Sequence, residues 1–500
     1  MSFSDRQAPV LIGVGEASGQ SLGLEWPSPV DLASGAVKAA LNDSGAPGLA
    51  DSIDCLLATR LFYDSGVGHQ YGSPANFPDA IASASGLEPA QLIYGDVGGQ
   101  SPQKYVNELA VRLHEGKIKA AVICGAESVG TVKRAKKAGH EMDWNLPSDR
   151  DFLDKRSDFA VLTMYEIRHG IISMPMAYAL LENARRKRLD MDRKSYAKDM
   201  ARLWSAFSSV ASTREHAQFA KDWSVDELLS DEGGNYRLND PYRRWMVAQD
   251  AVALGGAVIM TTAGHAADLG IAEDRMIYLH SGADSSAPLI SEQMDLSRSP
   301  AIEWAVTQAL DLAELQAGDI GPIDIYSCFP VAVSLAIEAL NQPDRPLSSY
   351  TLTGGLSFFG GPGNSYSTHA IVALVQHLRK DGSKPGMISA NGGVINKESV
   401  GIYAAQPVAG GWSPDRIAAP NYMLADEGTR PAHFTSGNGI IKSYGTPYVK
   451  GVPGSATLWM VDENGTPCFG MLEDTPADTD LIGRAVEITS DGKRNHAVLK

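Results

Sequence analysis

The feature that most constrains this 500-residue chain is a stretch of sequence grammar that occurs twice. Tyr105, Val106, Leu109, Ala110 and Leu113 recur at the spacing of one helix face, and Ala120 to Cys124 follows as a continuous apolar run. Ile371, Val372 and Val375 stand 266 residues after Tyr105, Val106 and Leu109, and Gly386 to Ala390 supplies a second strand-like run. Gly116 and Gly382, which close the two helices, keep the same interval, and glycine suits the left-handed position that ends a helix. A turn, a helix, a strand and a second small-residue turn, met twice, predict a duplicated α/β unit. The unbroken apolar strands are those of a sheet covered by helices on both faces.

The duplication sets the expected domains. Residues 1–130 and 245–285 form a first half, and residues 286–409 a second. Residues 131–244, rich in Lys, Arg, Met and Trp and helical over 176–188 and 193–211, read as an insertion lying over the sheet. From about residue 410 a Pro/Gly-bearing linker leads into short apolar runs at Ile440–Ile441, Ala456–Val461, Cys468–Leu472 and Ala485–Ile488. Asn464-Gly465 is a hairpin signal, because both residues tolerate positive φ. Residues 410–500 are therefore expected to form a small antiparallel β-barrel.

Composition narrows the partners. The formal charge of −16 comes with no stripe of Lys and Arg, so no nucleic-acid surface is expected. The basic groups at Lys133, Arg134, Lys136 and Lys137 and at Arg185–Arg188 read as solvated helix faces, with a ligand phosphate as the lesser reading. Cys55, Cys124, Cys328 and Cys468 have neither metal-ligand nor disulfide spacing, and buried reduced thiols are expected. No leader and no apolar window of membrane-spanning length is apparent, so a cytoplasmic enzyme or binding protein is expected. The run Gly13-Val14-Gly15-Glu16-Ala17-Ser18-Gly19 has the wrong spacing for a dinucleotide fingerprint and reads as a glycine-rich strand-to-helix loop, so neither nicotinamide nor flavin is expected, and no metal.

Three segments of the second half follow strand or turn positions, where active-site loops gather on an α/β sheet. They are Tyr326-Ser327-Cys328-Phe329-Pro330, the run Gly354–Tyr366 (GGLSFFGGPGNSY) and Ser389-Ala390-Asn391-Gly392-Gly393. The first resembles the Asn-Glu-Ala-Phe or His-Asp-Cys-Phe loop of thiolases, the second their Gly-Gly-…-Gly-His-Pro, and the third their Cys-x-Gly-Gly. Gly125-Ala126-Glu127-Ser128 resembles their Gly-Gly-x-Glu-Ser turn. Residues 5–407 thus resemble a whole thiolase body, most of all the sterol-carrier-type thiolases and the thiolase-like proteins of type 1, which also carry a C-terminal β domain.

The resemblance implies a duplicated five-layer fold (α-β-α-β-α) that takes a coenzyme A thioester as substrate or ligand and pairs as a homodimer. It also shows a loss. The acyl-accepting cysteine falls at Gly99, the histidine that activates it at Gly361 and the second cysteine at Ala390, while the Asn or His of the remaining loop is Tyr326. Without a thiolate nucleophile, ordinary thiolysis is excluded. Candidates for a different chemistry are Tyr366 and His369 at the start of the following helix, with Tyr326 and Cys328 on the neighbouring loop. Asn391, Gly392, Gly393 and Gly361 are the candidate oxyanion or thioester-binding positions. Two activities are consistent with this set, and a third, an acyl-CoA acyltransferase, is least supported by it. One is cleavage or formation of a C–C bond in an acyl-CoA, of retro-Claisen or retro-aldol type, without an acyl-cysteine, as in thiolase-like aldolases that work with a small β-barrel partner. The other is a catalytically inactive acyl-CoA- or lipid-binding homologue.

Overall fold

The structure, a computed structural model, describes residues 6–65, 68–156, 162–421, 433–476 and 478–500. The first half contributes strands β1 (Pro9–Ser18), β2 (Ile53–Ala58), β3 (Gln91–Tyr94) and β4 (Ala120–Glu127), and the inserted region holds β5 (Leu153–Asp154), β6 (Arg237–Asp240) and β7 (Tyr242–Arg243). The body resumes with β8 (Leu254–Thr262), β9 (Ile277–Ser286), β10 (Ile323–Ile325), β11 (Gly386–Gly392) and β12 (Lys397–Ala404). The C-terminal part holds β13 (Gly437–Val449), β14 (Val452–Pro453), β15 (Ala456–Asp462), β16 (Pro467–Leu472), β17 (Ala485–Ser490) and β18 (Asn495–Leu499).

The duplication is visible in the topology. In the first half β2 runs parallel to β4, β4 antiparallel to β8 and β8 antiparallel to β1. In the second half β10 runs parallel to β11, β11 antiparallel to β12 and β12 antiparallel to β9. The halves join where Val10 and Leu11 of β1 pair with Tyr278 and Ile277 of β9, which makes one ten-stranded sheet.

Two helices, Ser101–His114 and Tyr366–Lys380, lie between the halves and touch strands of both. Helices Pro29–Ser44 and Pro300–Ala313 cover the two outer faces, completing five layers. The glycine run read as a loop lies instead within β1. A side chain on Gly13 or Gly15 would strike the backbone of helix Pro29–Ser44 at Ala40 or Ala36, so those glycines permit a close helix-on-strand contact.

The inserted region supplies helices Met174–Arg188 and Arg193–Ala211. It is not confined to the outside of the sheet, because β5 extends the sheet edge beside β3 and β6 pairs with β13. Its basic run is not a solvated face. Arg186 is 5% exposed and forks onto Asp480, while Arg185 and Arg188 both hold Glu338.

The C-terminal strands β13, β15, β16, β18 and β17 close into a five-stranded barrel. The barrel is not wholly antiparallel, for β16 and β18 meet in parallel at Met471 and His496. Antiparallel neighbours can alternate around a ring only when the strand number is even, so five strands force one parallel contact. At the β15–β16 turn only Gly465 takes a left-handed φ, of 79°. Asp462 organises that turn by accepting the N–H groups of Asn464 and Thr466. Trp459 and Phe469 bury their rings in the same core as the body.

Candidate functional site

The two central helices begin face to face, and their preceding turns interlock. Gly98 N–H donates to Asn364 Oδ1 at 2.9 Å, and Ser367 Oγ donates to the Gly99 carbonyl at 2.5 Å. Gly98 and Asn364 are 266 residues apart, so the repeated positions meet across the pseudo-twofold axis. Gly98 has φ of 135°, which L side chains rarely adopt, and this fixes glycine there.

The space over Gly99 is filled by Tyr326. A Cβ added to Gly99 would lie well inside 3.0 Å of the phenol oxygen and of ring carbons. The Tyr326 ring is 9% exposed, packs edge-on against Tyr366 with centroids 5.3 Å apart, and has its hydroxyl pushed far above the ordinary tyrosine range by burial. The sequence suggests open room at this position. The larger side chain that replaces the family's Asn or His occupies it.

Tyr366 and His369 leave the same helix in different directions. The Tyr366 hydroxyl stands 2.5 Å from Thr353 Oγ1 and donates to Asp324 Oδ1 at 3.3 Å, in the second half. The Asp324 carboxyl is raised by burial even though its other oxygen accepts the Leu352 and Thr353 N–H groups. His369 instead reaches the first half, where Nδ1 lies 2.7 Å from Glu16 Oε1, and Arg214 closes on Glu16 Oε2 at 3.5 Å. Burial works to raise the Glu16 carboxyl, and His369, His216 and Arg214 outweigh it and hold it below the usual range. His369 Nε2 is buried without a hydrogen-bond partner among the described residues.

A second group of side chains gathers around the third loop. Asn391 Nδ2 donates to the Tyr178 hydroxyl at 3.1 Å and toward Cys328 Sγ at 3.6 Å, and the Tyr178 hydroxyl donates to the Gly393 carbonyl at 3.1 Å. Tyr178 stacks on Phe329 at 4.1 Å. Burial pushes the Cys328 thiol up to about 12, so it is a thiol and not a thiolate at neutral pH. Glu398 pairs directly with Asn391 across β12 and β11. It is 2% exposed, its carboxyl is raised well above the usual range by burial, and its Oε1 has no partner among the described residues. Asn391 Oδ1, Gln100 Oε1, Ser101 Oγ and Ser365 Oγ are also buried without partners among the described residues.

The glycines of the motifs are largely committed. Gly361 N–H donates to the Gln249 carbonyl at 2.8 Å, and Gly392 belongs to the β11–β12 ladder opposite Lys397. The Gln100 side chain crosses between Gly98 and Gly392, where a Cβ on either would overlap its amide. Ala390 is buried at 1% exposure. The structure therefore brings Tyr326, Cys328, Asn391 and the Gly392–Gly393 turn to one neighbourhood, with Tyr366 at its edge and His369 turned away. Sequence reasoning missed Tyr178, Glu398, Glu16 and Gln100. The interval of 266 residues also relates His369 to Gln103, and each reaches over a glycine of the opposing half, Gly256 or Gly401.

The fold has a counterpart among solved structures that spans the whole chain. The crystal structure of a monomeric SCP2-thiolase-like protein type 1 from Mycobacterium smegmatis matches with a TM-score of 0.84 and 31% identity, covering 100% of both chains. The chain belongs to this thiolase-like family. An Ltp2–ChsH2(DUF35) aldolase matches with a TM-score of 0.57 at 16% identity, over 81% of this chain and 99% of that one. An acetyl-CoA acetyltransferase from Syntrophomonas wolfei matches with a TM-score of 0.58 at 15% identity, over 80% of this chain and 99% of that one. These two share the fold. No family model and no curated protein matches the sequence.

Proposed function

We propose that this thiolase-like protein binds an acyl-CoA thioester at the Tyr326–Cys328–Asn391 cluster and forms no acyl-enzyme. The observation that carries this reading is the Tyr326 phenol over Gly99. It fills the space of the family's nucleophile, and the thiol in that cluster, Cys328, is held protonated by burial. The cluster supplies hydrogen-bond donors at the Tyr326 hydroxyl and at the Asn391 amide hydrogen that faces Cys328 at 3.6 Å, and such donors orient a thioester carbonyl. Calorimetric titration of the full chain with acyl-CoA esters of increasing length tests it. Saturable binding supports the reading, and no binding to any ester contradicts it.

Glu398 favours a second reading, C–C bond cleavage. A buried carboxyl with a raised pKa, paired with Asn391 and carrying an unpartnered oxygen, suits the proton transfer a retro-aldol step requires. Mass spectrometry of a panel of 3-oxoacyl- and 3-hydroxyacyl-CoAs incubated with the protein separates the two readings. A shortened acyl-CoA favours cleavage, and intact esters with measured binding favour a binding protein.

The homodimer expected from the superfamily is a proposal as well, and the full-length relative, described as monomeric, argues for a single copy. Sedimentation velocity decides between them. Among the described residues no helix is long and apolar enough to cross a membrane.

A further inference from the structure

The short helix Met164–Arg168 docks the inserted region onto the barrel through Tyr165 and through His169, the residue that follows it. The Tyr165 hydroxyl accepts the Phe469 N–H of β16 at 3.0 Å and donates to the His433 carbonyl at 3.0 Å. Thr457 of β15 donates its hydroxyl to the His169 carbonyl at 2.7 Å. The His169 ring is fully buried beside the rings of Tyr165, Phe434 and Phe469, and it reaches β18.

Two backbone groups fix the state of that ring. Nδ1 lies 2.7 Å from the Tyr165 carbonyl, and Nε2 lies 2.9 Å from the N–H of Asn495, the first residue of β18. A carbonyl only accepts and an N–H only donates, so Nδ1 carries the proton and Nε2 stays bare. A second proton on Nε2 would face the Asn495 N–H, donor against donor, and leave that buried amide without a partner. Asn495 precedes His496, whose pairing with Met471 is the single one between β16 and β18 among the described residues. The bond to His169 therefore holds β18 where its contact within the barrel is narrowest.

We propose that His169 is an acid-sensitive latch on the C-terminal barrel, which on protonation releases Asn495 and opens the barrel where β16 and β18 meet. Burial pushes the ring down to about 4 from an ordinary value of 6.5; Arg494 and His496 act the same way, and the Tyr165 carbonyl and Asp491 oppose them. Among the other titratable groups at this contact, Glu166 accepts the Thr163 and Ser291 N–H groups, His433 pairs with Asp462 at 3.0 Å, and His496 stands 3.9 Å from Glu473. Because the closed state holds the ring below its ordinary value, the latch is complete above pH 6.5 and is lost as pH falls toward 4.

Hydrogen–deuterium exchange of the full chain, read by mass spectrometry between pH 7.5 and 4.5 and corrected for the intrinsic pH dependence of exchange, tests the latch. Peptides from residues 490–500 should open roughly 10- to 100-fold more often at pH 4.5 than at pH 7.5, while peptides of helix Pro29–Ser44 change little. His169→Gln keeps one donor and one acceptor but takes up no proton in this range, so its barrel peptides should lose that rise. His433→Gln and His496→Gln should keep it. Fast exchange of the barrel peptides at every pH in His169→Gln, with helix Pro29–Ser44 still protected, supports the proposal as well, since the strand then opens without the ring's bond. A corrected rate in the parent that is flat with pH overturns it. So does a rise of equal size in helix Pro29–Ser44, which is acid unfolding of the whole chain, or a rise that persists undiminished in His169→Gln. If that variant does not fold, the parent profile and the other two histidine variants decide.

Discussion

The Tyr326 phenol occupies the space that a side chain on Gly99 would need. The two positions are therefore coupled, and a nucleophile cannot be restored at one without yielding at the other. Gly99→Ala should destabilise the protein by ~1–3 kcal/mol through overpacking. Tyr326→Ala should remove that penalty and Tyr326→Phe should not, since the ring carbons are part of the overlap. A double-mutant cycle from denaturant unfolding measures the coupling, and additive Gly99→Ala and Tyr326→Ala effects would contradict the packing.

Tyr366 and His369 sit one turn apart on a helix but serve separate networks. Tyr366→Phe should cost about 1 kcal/mol, for a hydrogen bond lost with its ring retained. His369→Ala should cost ~3–5 kcal/mol, because it removes the hydrogen-bond partner of the buried Glu16 carboxylate and leaves only Arg214 and His216 opposite. The double variant should lose the sum to within about 0.5 kcal/mol. A clearly smaller combined loss would place both side chains in one network.

Glu127, the last residue of β4, gives a pH signature. Burial raises its carboxyl to about 8 from an ordinary value of 4.5, although its Oε1 accepts the Phe62 N–H at 2.6 Å. The folded state then holds a proton that the unfolded chain releases. The stability contribution is complete below pH 4.5 and is lost as pH rises to about 8. Glu127→Gln should abolish that loss, so its advantage over the parent should grow by up to about 1.4 kcal/mol per pH unit across the window. Parallel stability–pH curves for the two proteins would refute the raised value.

Much of this was legible in the sequence, and the rest was not for identifiable reasons. The interval of 266 residues announced the paired halves, because a buried strand and its covering helix leave a strong apolar pattern. The barrel followed from short apolar runs and one Asn-Gly. The filling of Gly99 by Tyr326 was not legible, because it depends on how far one loop reaches toward another, and the motif alone marks both positions as merely changed. Glu398 was missed for a related reason. An acid within a strand reads as a solvent-facing residue until the register places it opposite Asn391 under the inserted region. The divergence of Tyr366 and His369 was hidden as well, since a spacing of three suggests one face and the helix lies between two sheets.

The barrel should not unfold by itself. Asn183 Nδ2 donates to the Tyr444 carbonyl at 2.9 Å, Ser443 Oγ to the Leu180 carbonyl at 2.5 Å, and the Asn495 N–H to His169 Nε2 at 2.9 Å. With Trp459 and Phe469 in the shared core, scanning calorimetry should show a single transition. Two resolved transitions would mean that these contacts do not couple the parts.

In the proposed function this thiolase-like protein handles its ligand without a covalent acyl intermediate. Intact-mass spectrometry of the full chain, quenched in acid after incubation with acetyl-CoA or acetoacetyl-CoA, measures that directly. The predicted result is the unmodified mass at every time point, under conditions where calorimetry shows the ester bound. An added acyl group that maps to Cys328 or to any other side chain of the Tyr326 cluster would contradict it.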